Sequence, residues 1–265
     1  MINKKQQALI RKELRGVVLE SGFFLNYLLL PLIMSLVIPV GAVLAVSLAD
    51  VTATISELEF MLTGLGIYLP PGLEEMTIIG LIINNLIPTF FLMIPTIVVT
   101  VVAASSFTGE KERRTLETLL YVPLSLKEIF LAKVLTALIL GLFITYVSFL
   151  IMVASVTTLV WVLLGELFIF GLTWLVILGL VAPALAFLGI VIQVAISAKA
   201  KSSEDAYQRG SVLVMPLILL LVSQVAGIIL INAWLFALLG LILFLIAYVM
   251  IGRVVKNFTY EKLLK

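Results

Sequence analysis

Six long apolar runs constrain this chain more than any other feature in it. A helix needs roughly 20 mostly apolar residues to cross about 30 Å of hydrocarbon. The runs at about 23–48, 77–104, 129–157, 167–196, 211–230 and 233–252 all reach that length. The expected fold class is therefore an all-α integral membrane protein with six transmembrane helices. Composition agrees, with 63% of residues hydrophobic and 12% charged, against about 25% charged in a soluble domain. Pro31, Pro39, Pro88, Pro95 and Pro183 fall inside the runs. In lipid, neighbouring helices can satisfy the carbonyls that a proline frees, so these residues predict kinks rather than ends. Only the turn around Asn232 separates the fifth run from the sixth.

The placement of charge orients the spans. The 17 basic residues fall in four clusters. The first holds Lys4, Lys5, Arg11, Lys12 and Arg15, and the second Lys111, Arg113, Arg114, Lys127 and Lys133. Lys199, Lys201 and Arg209 form the third, and Arg253, Lys256, Lys262 and Lys265 the last. In a six-span arrangement all four lie on one side. The other side carries Asp50, Glu57, Glu59, Glu74, Glu75 and Glu166, without a single Lys or Arg. The positive-inside rule then places both termini in the cytoplasm, and the expected location is the plasma membrane. An odd number of spans would strand a basic cluster outside. A cleaved signal peptide would suit the small residues Ala45, Ser47 and Ala49, but its apolar core spans only about 7–15 residues, shorter than the first run.

Several functions are excluded by residues the chain lacks. With no cysteine and no histidine, it has no disulfide, thiolate nucleophile, Cys/His metal ligand or histidine base. No catalytic, metal-binding or cofactor-binding residue is expected. A net charge of +2 gives no reason to expect a nucleic-acid partner. A P-loop requires Gly-x-x-x-x-Gly-Lys-Ser/Thr, and none of the glycines precedes a lysine.

Residues 1–22 read as an amphipathic interfacial helix, with Ile10, Leu14, Val17 and Val18 at helical spacing and the basic residues largely elsewhere. Residues 23–257 form the six-span domain and 253–265 a cytoplasmic tail. The outer loop at about 49–76 is acidic and broken by Pro70, Pro71 and Gly72. The cytoplasmic stretch 105–125 is the most informative. Thr108 is the expected N-cap of a short helix, with Glu110 and Glu112 in its first turns, where the dipole favours acids. Glu110 with Arg114 and Arg113 with Glu117 are spaced i,i+4 for ion pairing. Leu116, Leu119 and Leu120 make an apolar face, and Pro123 ends the helix. Ser125 and Glu128 then form a capping-box pattern that opens the third span.

At this stretch the chain resembles the type-2 permease family of ATP-binding-cassette (ABC) exporters. The first cytoplasmic loop of that family carries Glu-x-Glu-x-Gly-Thr-Leu-Glu-x-Leu-Leu, a Pro-Leu/Val-Ser turn and a lysine opening the next span. Glu110, Glu112, Thr115, Leu116, Glu117, Leu119, Leu120, Pro123, Ser125 and Lys133 match it in order, and Arg114 stands where glycine is usual. Lys12-Glu13-Leu14-Arg15 resembles the family's N-terminal interfacial helix, and Ser197 through Gln208 its second cytoplasmic loop. The resemblance implies that Glu110, Lys111, Glu112, Arg113, Arg114, Thr115, Leu116, Glu117, Leu119 and Leu120 form a coupling helix. That helix would dock on a separate ATPase subunit, one of two in the assembly that bind the ATP and Mg. It also implies a second permease subunit, identical or homologous, and an export function without catalysis by this chain.

Two other classes remain in view. A stand-alone secondary transporter or channel usually places ionisable groups within its spans. Here the span interiors offer Asn84, Asn85, Gln193 and Gln224, and Lys133 and Glu166 sit near span ends. Asn84, Asn85 and Gln193 are candidate pathway-lining residues, with interhelical hydrogen bonds as the simpler role. A membrane enzyme could use the adjacent carboxylates Glu74 and Glu75, but no nucleophile or base accompanies them.

Overall fold

Helix α1 (Lys4–Val18) precedes six longer helical rods. The computed structural model describes residues 4–19, 22, 27–48, 74–112, 125–197, 199–226 and 232–257. The rods are α2 (Leu29–Leu48), α3 (Glu75–Gly109), α4 (Glu128–Leu164), α5 (Leu172–Ser197), α6 (Ser203–Val225) and α7 (Ala233–Met250). Each is long and apolar enough to cross a bilayer. Among the described residues every regular element is helical. All six expected spans are therefore present, although several are longer than the apolar runs suggest. The helical segment that opens α4 starts at Leu126 and has 39 residues, about 58 Å at 1.5 Å per residue. That is about twice the hydrocarbon thickness, so the ends of α4 stand clear of the lipid core.

Proline shapes three of the rods in the same way. A π-helical turn occupies Ile33–Val37 in α2, Ile82–Leu86 in α3 and Ile177–Val181 in α5. Each turn ends two residues before a proline: Pro39, Pro88 and Pro183 respectively. The proline ring clashes with the carbonyl four residues back and supplies no N–H for it. Widening the preceding turn relieves the clash without ending the helix.

Local signals set the remaining ends. The Ser125–Glu128 capping box forms as the pattern predicts: Ser125 N–H donates to Glu128 Oε2 (2.7 Å) and Glu128 N–H to Ser125 Oγ (3.3 Å). At the far end of α4, Gly165 takes φ 72° and its N–H reaches Trp161 O at 3.0 Å. This left-handed cap is open to glycine and strained for other residues. Gly165→Ala is therefore expected to cost roughly 1–2 kcal/mol, read as a lower melting temperature of the purified protein. An unchanged melt would mean that the cap does not hold the end of α4. Asn232 Oδ1 accepts from Leu235 N–H at 3.0 Å and so starts α7.

The core gathers around α3, whose apolar stretch is mostly buried. Ile83, Phe91, Ile94, Val98 and Val102 of α3 pack with Ile144, Met152 and Val156 of α4 and Ile190 of α5. Contact between α3 and α4 is close enough that a Cβ on Gly141 would collide with Val99 Cγ1. Rod α7 lies along α5, where Phe236 joins Ile177 and Val181 in a second cluster. By contrast the apolar stretches of α2, α6 and α7 are mostly left unburied. Their apolar faces point outward.

Candidate functional site

The basic residues whose side chains the structure describes, Arg11, Lys12, Arg15, Lys133, Lys199, Lys201 and Arg209, fall on α1, the first turns of α4, the α5–α6 connection and the first turns of α6, at one end of the bundle. The helix of α3 runs into this end and continues to Glu112. Glu110, Lys111 and Glu112 thus extend a rod that begins in the core. Arg113, Arg114, Thr115, Leu116, Glu117, Leu119 and Leu120 lie outside the described residues. Thr108 is not the N-cap expected from the sequence. It lies within the continuing helix, fully buried. Ser105 and Ser106 are both engaged: Ser105 Oγ donates to Val102 O at 3.1 Å and lies 3.3 Å from Tyr27 Oη. Packing on several sides overrides the capping preference that Thr108 would have alone.

Ser106 belongs to a buried polar cluster linking three helices. Lys133, on α4, is 3% exposed. Its Nζ donates to Ser106 O at 2.8 Å and to Ser106 Oγ at 3.2 Å, and pairs with Glu13 Oε1 of α1 at 3.4 Å. Ser106 Oγ in turn donates to Glu13 Oε2 at 3.2 Å. Phe107 places its ring 5.7 Å from the ammonium, a cation–π distance. Around the cluster, Leu9 and Ile10 of α1 pack on Ile129 and Ala132 of α4, with Leu14 beside them. The apolar stripe of α1 is therefore turned towards protein, and Val18, expected within it, is 48% exposed. One sign of the cluster was visible beforehand. Glu13 falls inside the stripe Leu9, Ile10, Leu14, Val17, where an acid requires a partner.

A second helix closes the same end. The first turns of α6, Ser203–Gly210, are polar and packed against α3 and α5. Ser202 caps them by accepting from Asp205 N–H at 3.1 Å, and Asp205 pairs with Arg209 at 2.7 Å. The small residues Ala104, Ala200 and Ala206 form the contact. Gln193, fully buried on α5, donates to Ala206 O at 2.8 Å. Gly210 permits the approach, because a Cβ there would collide with Gln193 Oε1 and sit 2.7 Å from Thr100 Cγ2. The fifth apolar run was expected to begin at residue 211. The helix starts eight residues earlier, and of these turns only the small residues Ala206 and Gly210 are buried, against neighbouring helices.

The other polar candidates cluster at the π-turns, away from the basic end. Asn84 Oδ1 accepts from Gly171 N–H at 2.8 Å, joining α3 to the α4–α5 connection. Asn85 Nδ2 donates to Leu81 O at 3.2 Å. Carbonyls of the widened turns receive side chains from other helices: Ile83 O from Trp174 Nε1 (3.2 Å), Asn85 O from Gln224 Nε2 (3.4 Å) and Leu178 O from Tyr146 Oη (3.2 Å). In a medium without water such partners are what makes irregular backbone tolerable. Asn84, Asn85 and Gln193 are thus all engaged in hydrogen bonds within the bundle.

Six lipid-length rods, with a buried α3 at their centre and polar clusters gathered at one end, define a multi-pass helical membrane protein. The chain belongs to the ABC-2 transporter family: the family model described as ABC-2 family transporter protein matches residues 7–250. It is a membrane component of an ABC transport system. No curated protein matches the chain.

Proposed function

We propose that the chain is the permease subunit of an ATP-driven exporter in the plasma membrane, with both termini cytoplasmic. Residues 110–120 dock on one of a separate pair of ATPase subunits, which bind ATP and Mg and supply the energy. The observation that carries this reading is the unbroken helix from the buried middle of α3 through Glu112. A displacement applied to a stiff rod reaches the core, whereas a floppy loop would absorb it. The next helix is capped firmly at Ser125, so the segment between is held by two defined ends. A second permease subunit, identical or homologous, completes the pathway. The outward apolar faces of α2, α6 and α7 leave room for that subunit and for lipid. We place the pathway along α3 and α5, with Asn84, Asn85 and Gln193 the polar groups nearest to it in kind.

The test is co-purification followed by charge reversal. The tagged chain should retain an ATPase when extracted gently. Glu112→Lys and Glu117→Lys should each separate ATP hydrolysis from transport while the melting temperature stays near that of the parent. Unchanged coupling in both variants would count against docking through this segment. Transport by vesicles containing this chain alone would favour a stand-alone carrier or channel instead.

A further inference from the structure

We infer that the Glu13–Lys133–Ser106 cluster is a clasp that joins α1 to both legs of the driven segment, with Lys133 as a positioning residue for the ATP-driven stroke. This rests on the permease reading above. The clasp sits at the base of the excursion between α3 and α4. Ser106 lies on α3 just before the helix leaves the core, and Lys133 is on α4 about two turns past the Ser125 cap. Glu13 reaches both from α1, spending one carboxylate oxygen on each.

Stability alone does not explain the arrangement. A buried ion pair is often no better for stability than apolar residues of the same volume, because desolvation offsets the attraction. A methionine at position 133 could fill the same space among Phe107, Phe130 and Ser106. An ammonium adds directional hydrogen bonds to a main-chain carbonyl, a hydroxyl and a carboxylate on two other helices. Such bonds fix register where apolar contact permits sliding. Ionisable groups near lipid are costly and tend to mark function.

The mechanical consequence is specific. A push on the segment between α3 and α4 would, without the clasp, spread the two rods or pivot one against the other. With their bases joined through Lys133, both move together and carry α1 with them. The third helix then widens the foot of the lever. Lys133 itself touches neither nucleotide nor cargo and acts through Ser106 and Glu13.

Two measurements test this. In the permease alone, thermal unfolding is compared for Glu13→Gln, Lys133→Met and the double variant. Direct pairing predicts that the double variant melts no lower than the worse single one, since residues in contact are non-additive. Additive losses overturn the clasp. The second measurement follows MgATP turnover by the permease–ATPase complex in nanodiscs, well below the melting temperature. Lys133→Met should lower kcat about tenfold, within the range of coupling between distant sites. The ATPase should still co-purify and KM for ATP should not change. Lys133→Arg, which keeps the charge, should recover at least half of the parent kcat. The double variant should be neither slower nor faster than Lys133→Met, whatever its melt relative to the single variants, whereas under a purely structural role kcat would follow the melt. An undiminished kcat in Lys133→Met overturns the positioning role. A parent chain that captures no ATPase overturns the ATP-driven permease reading and this role with it, while the melting comparison still decides whether the clasp exists.

Discussion

Trp174→Ala should destabilise the bundle by about 3–5 kcal/mol, the usual range for deleting a large buried aromatic. Trp174 is 1% exposed and meets Phe91 at 5.3 Å, Phe149 at 5.2 Å and Phe170 at 6.1 Å between ring centroids. Lipid tails are as apolar as these side chains, so transfer from water contributes little to the loss inside a bilayer. The cost arises from dispersion contacts that a cavity forfeits and from Ile83 O, which loses the indole N–H. Trp174→Phe separates the two contributions. It keeps most of the ring and removes the donor, leaving a carbonyl of the π-turn unpaired for about 1–3 kcal/mol. Melting temperatures of the two variants in nanodiscs should rank parent, Trp174→Phe, Trp174→Ala. If Trp174→Phe melts with the parent, the indole bond does not support the widened turn and the aromatic contacts carry the whole effect.

The large features of this fold are legible in the sequence because lipid makes them so. Long apolar runs leave few alternatives to helices, and the Ser125–Glu128 box announces the start of α4 through purely local chemistry. Prolines announce irregularity at the right places, though not its form. That form depends on which side chains stand nearby, and Trp174, Gln224 and Tyr146 come from distant parts of the chain. Tertiary contacts were hidden for the same reason. Thr108 has the local character of a cap, yet neighbours on several sides keep the helix running through it. Lys133 reads as a flanking charge at a span end until Glu13, 120 residues away in sequence, is placed beside it. The first turns of α6 are too polar to look membrane-associated, and only Gln193 and the small residues Ala104 and Ala200 reveal what they pack against. Of the expected coupling residues, the structure describes Glu110, Lys111 and Glu112 as the end of a helix. Arg113 through Leu120 stand on the resemblance of their motif.

Gly210→Val should dislodge the first turns of α6 at a cost of about 1–3 kcal/mol, the usual range for forcing extra volume into a packed site. Two neighbours face the new side chain, and they differ in what they can concede. Gln193 Oε1 is the far end of a flexible side chain and can swing aside, at the risk of its bond to Ala206 O. Thr100 Cγ2 has no such freedom. It is β-branched, 2% exposed, and held by the bond from its hydroxyl to Thr96 O at 2.7 Å. The gentler Gly210→Ala should therefore be limited mainly by Thr100. Thr100→Ser removes the obstructing methyl and keeps the hydroxyl bond, so Thr100→Ser/Gly210→Ala should melt above Gly210→Ala alone. Rescue of this kind would locate the contact at one methyl group between α3 and α6. Equal melting of the single and double variants would mean that α6 approaches α3 by some other route, and that Gly210 is small for a reason unrelated to Thr100.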